Sequence, residues 1–245
     1  MPENHGWKSK ETAQRYKHVA DAVVPGRREV LSLIAGLAIH SASGTPHILD
    51  LGCGHGDLAA QVLELSPDAN ITLVDFSDEM LRMTSERFVL SSNIRVIKHN
   101  LNLGIPPEVE STKYDAVTSS FVLHHVDYDK RVGLYRQINR ILKDDGLFIN
   151  GDRFKEESPD ADAWVFEDWV RWMLPHVKEH FDHEVSFDAL RQRQLDSEEK
   201  LGDMQGTLWD MERDLRQAGF SYVDCLYKNM IVAVIAAQKA GGDSK

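Results

Sequence analysis

The sequence has few cysteines, no long apolar run and no apolar leader. Its two cysteines, Cys53 and Cys225, are too few for a disulfide framework or a cysteine-rich zinc site. No apolar run approaches the roughly 20 residues that cross a bilayer, and the polar N-terminus lacks the apolar core of a signal peptide. We therefore expect a cytoplasmic protein without a membrane segment.

Positive charge is also scarce. The chain has 28 lysines and arginines against 39 aspartates and glutamates, which gives a net charge of −11. Phosphate contacts dominate the affinity of proteins for nucleic acids, so this balance argues against a general nucleic-acid binder. The 245 residues and the 42% hydrophobic content suit one large globular domain, or one domain with an insertion.

The most informative stretch is a glycine-rich turn. An apolar run ends in Asp50, glycines follow at every second position from 52 to 56, and an amphipathic segment comes directly afterwards. This order predicts a buried strand, a tight turn and a helix whose first N–H groups can face a ligand. The spacing differs from the G-x-G-x-x-G dinucleotide fingerprint, because Asp57 occupies the third glycine position. The turn therefore predicts a nucleotide-like cofactor and disfavours a nicotinamide oxidoreductase.

Short apolar runs alternate with amphipathic helical segments through the first 150 residues. Alternation of this kind predicts an α/β fold, doubly wound, with a mostly parallel sheet and helices on both faces. The rhythm breaks after the fifth predicted strand, where two helical tracts follow. A helix predicted from Asp203 to Gln217 then precedes two strands joined at Lys228-Asn229, and so short a connection requires antiparallel pairing.

The pattern divides the chain into four segments. We predict N-terminal helices that form a lid, a cofactor-binding core, a helical insertion that covers the substrate, and a C-terminal helix with an antiparallel strand pair of the same sheet. The predicted bounds are 1–45, 46–152, 153–202 and 203–240.

An acidic residue follows the glycine turn at the spacing expected for a residue that binds a ribose. Asp75 ends the second predicted strand about 20 residues later, where a carboxylate can accept hydrogen bonds from both ribose hydroxyls of an adenosine. The next residue, Phe76, is placed to lie against the adenine.

With these features in order, the chain resembles the class I S-adenosylmethionine-dependent methyltransferases. The resemblance covers about residues 12–238 and is carried by the glycine turn, Leu73-Val74-Asp75, Tyr114-Asp115-Ala116-Val117, Leu123-His124-His125-Val126, the segment 141–147 and Ala218-Gly219-Phe220. It implies a Rossmann-like, seven-stranded sheet whose last strand is antiparallel. It also implies S-adenosylmethionine (SAM) as cofactor and S-adenosylhomocysteine as product.

The same resemblance implies which residues bind the cofactor. Asn100 is a departure, because the family usually has an acid at that place, although an amide oxygen can still accept a hydrogen bond from the adenine amino group. The implied set is Tyr16, Asp50, Gly52, Cys53, Gly54, Gly56, Asp75, Phe76, Met80, Asn100, Leu101, Ser120 and Phe121.

Three residues are candidates for catalysis. His124 and His125 follow the fourth strand, near the place expected for the methyl group, and Asp152 ends the fifth. Histidine titrates in the range that suits a general base, whereas core packing is the alternative for both histidines.

Four further residues are candidates for the acceptor site: Arg153, Trp164, Trp169 and Trp172. Aromatic side chains can wall a site for a planar or cationic acceptor, and packing or an ion pair is the alternative. His176, His180 and His183 have a helical spacing that suggests a metal, but no carboxylate or cysteine pattern completes the set. We therefore expect no metal.

The sequence thus predicts a methyltransferase that acts on a small-molecule acceptor at nitrogen, oxygen or carbon. One alternative comes from a partial likeness of Val23-Val24-Pro25-Gly26-Arg27 and of the helical insertion to the carboxy-S-adenosylmethionine synthases of tRNA wobble-uridine modification. That likeness also allows a homodimer. A non-catalytic SAM-binding subunit is the second alternative.

Overall fold

A computed structural model describes Trp7 and residues 9–178 and 185–239. His180, His183 and the tail 240–245 lie outside these residues. Across the described part of the chain, no helix combines the length and the apolar character needed to cross a bilayer.

One seven-stranded sheet organises the chain, in the order β3-β2-β1-β4-β5-β7-β6. Strands β1 to β5 run parallel, and β7 lies antiparallel between β5 and β6. The predicted fold is therefore confirmed. The strands are β1 (His47–Leu51), β2 (Asn70–Asp75), β3 (Ile94–Lys98), β4 (Tyr114–Ser120), β5 (Leu142–Arg153), β6 (Phe220–Asn229) and β7 (Val232–Lys239).

Helices flank the sheet on both sides. The helix after the second strand is capped at its N-terminus, because the side chain of Ser77 accepts a hydrogen bond from the backbone N–H of Met80. The helices are α1 (Lys10–Val23), α2 (Arg27–His40), α3 (Asp57–Leu65), α4 (Asp78–Arg87), α5 (Tyr128–Ile141), α6 (Pro159–Lys178), α7 (Phe187–Leu201) and α8 (Leu208–Gln217).

The sheet separates two apolar clusters. Helices α2, α3 and α6 contribute to the first cluster, and α5 and α8 contribute to the second. Gly151 in β5 allows close packing in the first cluster, because a Cβ there would lie 2.7 Å from Val30 and 2.8 Å from Ile34. Parallel strands buried on both faces explain the continuous apolar runs of the sequence.

The predicted end of the helix before β5 was wrong. The helical pattern of the sequence predicts a helix from Asp129 to Lys143, but α5 ends at Ile141. Leu142 instead pairs with Tyr114 of β4 and is fully buried. The chain therefore enters strand β5 at Leu142 and the helix ends before it.

Two boundaries near the C-terminus were also wrong. Helix α8 begins at Leu208 rather than Asp203, because Thr207 and Asp210 form a reciprocal capping box there. The strand β6 continues through Asn229, and the turn falls at Met230, whose φ is 50°. Asp203 therefore lies in the loop between α7 and α8.

The two inserted helices pack beside the N-terminal helix. The indole N–H of Trp169 in α6 donates to the backbone oxygen of Val23 at 2.8 Å. Helix α6 is in contact with both α1 and α7. The predicted insertion thus lies against the predicted N-terminal segment, next to the edge where β1, β2 and β4 end.

The capping box of α8 gives a stability prediction. Replacing Thr207 by alanine removes the side chain that accepts the Asp210 N–H, so the free energy of unfolding should fall by about 1 kcal/mol. Urea unfolding followed by circular dichroism measures it. Thr112→Ala is the matched control, because the Thr112 side chain makes no hydrogen bond among the described residues; an equal loss in both variants would contradict the prediction.

Candidate functional site

The glycine turn after β1 folds back onto the neighbouring strand. The backbone N–H groups of Gly52 and Cys53 both donate to the oxygen of Val74, at 2.7 and 2.9 Å. Gly52, Gly54 and Gly56 have φ angles of 75°, 54° and 83°, which favour glycine. The turn therefore needs its glycines for conformation before any ligand is considered.

The three glycines differ in what surrounds them. A Cβ on Gly52 would lie 2.3 Å from Val122, and one on Gly56 would lie 2.6 Å from the Phe88 ring. A Cβ on Gly54 would have no protein atom closer than Met80 Sδ at 3.9 Å. Gly54 therefore keeps open a space for a ligand. Gly56 was predicted to approach the cofactor, and this needs correction: Gly56 does not line the cavity, and its missing side chain makes room for the Phe88 ring.

A cavity opens beside this turn, and we call it the cofactor cavity. It holds about 870 Å³ of space, counting its open mouth, and lies at the carboxyl edge of the sheet. Eleven of the thirteen residues implied by the resemblance line it: Tyr16, Gly52, Cys53, Gly54, Asp75, Phe76, Met80, Asn100, Leu101, Ser120 and Phe121.

Asp75 connects the turn to the next helix. One carboxylate oxygen accepts the N–H of Gly54 at 2.9 Å, and the other accepts the N–H of Ser77 at 2.8 Å. Burial raises the pKa of Asp75, while these backbone N–H groups oppose the rise. Each oxygen retains a second lone pair. The carboxylate can therefore accept two more hydrogen bonds from a ligand in the cavity.

The other end of this wall can hold a flat ring. Phe76 and Leu101 line it, and Asn100 starts a short 3₁₀ turn. The side-chain oxygen of Asn100 accepts the N–H of Asn102 at 3.0 Å, so one lone pair remains for an amino group of a ligand.

Asp50 is not on the cavity wall, so that prediction also needs correction. It is 1% exposed and lies behind the turn, where Thr118 Oγ1 donates to it at 2.9 Å. Burial raises its pKa to about 7.

Arg27 is a residue of the cofactor cavity that the sequence analysis missed. Its guanidinium donates to Asp57 at 2.7 Å and to Asp21 at 3.1 Å, and the side chain is 10% exposed. Burial opposes ionisation of Asp57, yet His55 and Arg87 hold the pKa of Asp57 below its usual range. The result is a fixed cation beside the glycine turn. The one feature of the sequence that could have indicated Arg27 is its position directly after Pro25-Gly26.

A second cavity adjoins the first and is the larger of the two, with about 1470 Å³ of space, counting open solvent. Trp7, Tyr16, Phe121 and His125 line both cavities. The second cavity lies between the N-terminal helix and the inserted helices, and its wall includes Arg153.

Two of the three predicted tryptophans do not reach this second cavity. Trp169 lines it, with the Arg153 guanidinium 4.6 Å from the centre of its ring. Trp164 is 64% exposed, and Trp172 stacks on His176 at 4.2 Å. The prediction that all three wall one site is therefore corrected.

The predicted catalytic residues meet where the two cavities join. Nδ1 of His124 lies 2.5 Å from Asp152, which also accepts the backbone N–H of His124. Burial would lower the pKa of His124, but the Asp152 carboxylate raises it above the usual value. Neither residue of this pair lines the cofactor cavity.

His125 lies on the wall of the cofactor cavity. The indole N–H of Trp7 donates to its Nε2 at 3.0 Å, and Nδ1 lies 3.1 Å from Asp203. Indole is a donor only, so Nε2 carries the lone pair. Burial, followed by the neighbouring His124, lowers the pKa of His125 to about 4. Asp203 was missed because the sequence suggested a helix start there.

Comparisons with known proteins agree with this geometry. Residues 48–146 match a protein family described as a methyltransferase domain. The chain is 32% identical over 135 residues to a demethylmenaquinone methyltransferase of Leptospira interrogans, which covers 54% of this chain and 49% of that protein. The matched part thus spans about half the length of that relative.

Two further similarities cover more of the chain. A demethylmenaquinone methyltransferase of Listeria welshimeri is 28% identical over 187 residues, covering 72% of this chain and 71% of that protein. The crystal structure of human N-acetylserotonin methyltransferase in complex with SAM superposes with a TM-score of 0.60 at 19% identity, over 96% of this chain and 57% of that one. The last match shows the fold alone.

The strand order, the glycine turn with Asp75 and the matching domain point to one family. Over residues 48–146 the chain is therefore similar to methyltransferases, and its strand order and glycine turn agree with the resemblance to the class I, S-adenosylmethionine-dependent type.

Proposed function

We propose that this protein binds SAM in the cofactor cavity and transfers its methyl group to a small molecule held in the second cavity. The observation that carries the proposal is the joint between the cavities. Four side chains, Trp7, Tyr16, Phe121 and His125, line both spaces, so two ligands can meet there. Proximity of two bound reactants is the main requirement of a direct transfer, and good alignment contributes about 7–11 kcal/mol.

The residues present fit the cofactor. The space at Gly54 admits a ligand against the backbone, and Asp75 has lone pairs left for two ribose hydroxyls. Phe76 and Asn100 suit an adenine ring, and the Arg27 cation suits a carboxylate. When bound, SAM supplies an electrophilic methyl group on a sulfonium.

The chain's own part is to orient the acceptor and to keep water away. Tyr16 and Trp7 contact each other edge to face, with ring centres 5.2 Å apart, and they cover the joint between the cavities. A dry site favours a reaction in which charge spreads in the transition state. As the acceptor atom bonds to the methyl carbon and the carbon–sulfur bond breaks, a nitrogen or oxygen acceptor must also lose a proton.

His125 is the best placed of the three predicted catalytic residues for that proton. It alone among His124, His125 and Asp152 lines the cofactor cavity. Its Nε2 lone pair accepts the Trp7 N–H, so His125 can take the proton only when Trp7 moves away. His124 and Asp152 are positioned behind it and hold its surroundings in place. The catalytic role of all three stays a prediction.

The second cavity is lined by both apolar and charged side chains. Val19, Val23 and Trp169 contribute apolar surface, while Arg153 and Lys200 contribute charge. Two relatives in the comparison are named demethylmenaquinone methyltransferases. We therefore propose a quinol-type ring as the first acceptor class to examine, at oxygen or carbon.

The alternatives are less well supported. The relatives reported above are named as demethylmenaquinone methyltransferases, which favours neither a carboxy-SAM synthase nor a cofactor-binding subunit without activity. Mass spectrometry of the ligand that copurifies separates SAM from its carboxylated derivative. A homodimer and a cytoplasmic location stay predictions, and sedimentation velocity and cell fractionation test them.

Asp75 should be essential for cofactor binding. Asp75→Ala removes the carboxylate that holds Gly54 and would hold the ribose, so the affinity for SAM should fall at least about 100-fold, as expected for losing two charge-assisted hydrogen bonds. Isothermal titration calorimetry measures it. Asp78→Ala is the control, since Asp78 is exposed on the next helix. Unchanged affinity in Asp75→Ala would overturn the assignment of the cavity.

Gly54→Ala should separate binding from folding. A side chain at this positive φ costs about 1–2 kcal/mol of stability, but its Cβ would also enter the cofactor cavity. SAM binding should therefore be lost while the protein still folds. Gly219→Ala carries similar backbone strain at a φ of 97°, away from the cavity, and should keep its affinity. Equal binding by both variants would argue against a ligand at Gly54.

Turnover should depend on both cavities. With a panel of quinols, phenols and amines, we expect release of S-adenosylhomocysteine with at least one quinol, measured by liquid chromatography and mass spectrometry. Trp169→Ala should raise the KM for the acceptor and leave the affinity for SAM unchanged, because Trp169 lines the second cavity and does not line the cofactor cavity. Binding of SAM without turnover of any acceptor would favour the non-catalytic alternative.

A further inference from the structure

Two imidazoles and one carboxylate converge at the wall of the second cavity. Nδ1 of His125 lies 3.1 Å from Oδ1 of Asp203, and Nε2 of His124 lies 3.9 Å from the same oxygen. All three ligand atoms lie within 4.8 Å of one another. We propose that His124, His125 and Asp203 form a binding site for a divalent transition-metal ion.

A second carboxylate orients one of the ligands. Asp152 lies 2.5 Å from Nδ1 of His124 and also accepts the backbone N–H groups of His124 and Arg153. With Nδ1 bonded to Asp152, Nε2 of a neutral His124 presents its lone pair toward Asp203. Metal-binding histidines usually donate their other N–H to such a carboxylate, which fixes the ring.

The charges around this cluster call for a further cation. Asp152, Asp203 and Glu198 are acidic, and Arg153 bonds to both Asp203 and Glu198. The Asp152 and Asp203 side chains are 3% and 2% exposed, so water screens them poorly. A proton on His124 would supply one positive charge. A divalent ion with neutral His124 would bring these groups to zero net charge.

The site has room for further ligands on one side. His124, His125 and Asp203 all line the second cavity, so water or an acceptor oxygen can complete the coordination shell. Two imidazoles favour zinc, iron or cobalt over magnesium and calcium, and two histidines with one carboxylate leave several positions open. The ligand class is therefore a divalent transition metal with an open face.

Metal binding would displace one contact. A metal on Nδ1 of His125 places the proton of this imidazole on Nε2, where it faces the indole N–H of Trp7. Two donors cannot bond to each other, so Trp7 must move away from His125. Occupancy of the site should therefore change the environment of an indole that lines both cavities.

The consequence for the reaction rests on the proposed function. An acceptor hydroxyl on the open face of the ion would lie beside the joint of the two cavities, and its pKa would fall as it does for metal-bound water. Binding of the ion itself does not depend on methyl transfer, so the two proposals can be tested separately.

Cobalt is the probe for the site, because its visible spectrum reports coordination. We expect untagged, chelator-treated protein to bind one equivalent of Co²⁺ with d–d absorption, and zinc to displace it. Asp203→Asn should lose this equivalent, and Asp152→Asn should bind about 10–100-fold more weakly. His40→Gln, an exposed histidine at the end of α2, should bind as the unmodified protein does.

Two further measurements keep the outcome clear. Calorimetry with SAM should give the same affinity in Asp203→Asn as in the unmodified protein, which separates this proposal from the proposed function. If Asp203→Asn melts early, His124→Gln replaces it. Cobalt should also change tryptophan fluorescence, and Trp7→Phe should remove most of that change. Equal cobalt binding with and without Asp203, or no stoichiometric binding, would overturn the metal site and leave a protonated His124 as the cation.

Discussion

The carboxylate of Asp75 is the interaction on which the cofactor cavity depends. It bonds to the N–H of Gly54 in the turn after β1 and to the N–H of Ser77 at the start of α4. Two chain segments that lie far apart in sequence are thereby held at one sheet edge. A buried carboxylate is costly unless it is hydrogen-bonded, and both oxygens find backbone donors here. The same group that fixes the turn is thus left facing the cavity with lone pairs for a ligand.

Much of the fold and of the cofactor site could be predicted, because the signals are local. Strand and helix periods are properties of neighbouring residues, and the alternation of both gave the parallel sheet. The glycines and Asp75 lie at the ends of adjacent strands, where ligands bind in open sheets. One error arose where distant pairing overrides local preference: the pattern around Leu142 predicts a helix, but pairing with β4 makes it a strand residue.

The rest of the site could not be predicted, because it is assembled by contacts between distant residues. Trp7 reaches His125 across 118 positions, and no pattern in either segment indicates the other. Gly56 looks like its neighbours in the turn, and only the Phe88 ring beside it shows a different reason for its missing side chain. Trp164 and Trp169 lie about 140° apart around a helix with 3.6 residues per turn, so they could not both face one cavity.

Two buried aspartates at opposite ends of the sheet show why the polar cluster at the cavities points to chemistry. Asp115, where β4 begins, accepts two bonds from Lys143 and one from the N–H of His47, so its role in joining β1, β4 and β5 accounts for it. Asp203 lies at the other edge, against two imidazoles and a cavity. Buried ionic networks often contribute no more stability than apolar residues of the same volume. Stability therefore does not account for this cluster, and its place at the carboxyl edge, where ligands of such sheets bind, favours a role in holding or activating one.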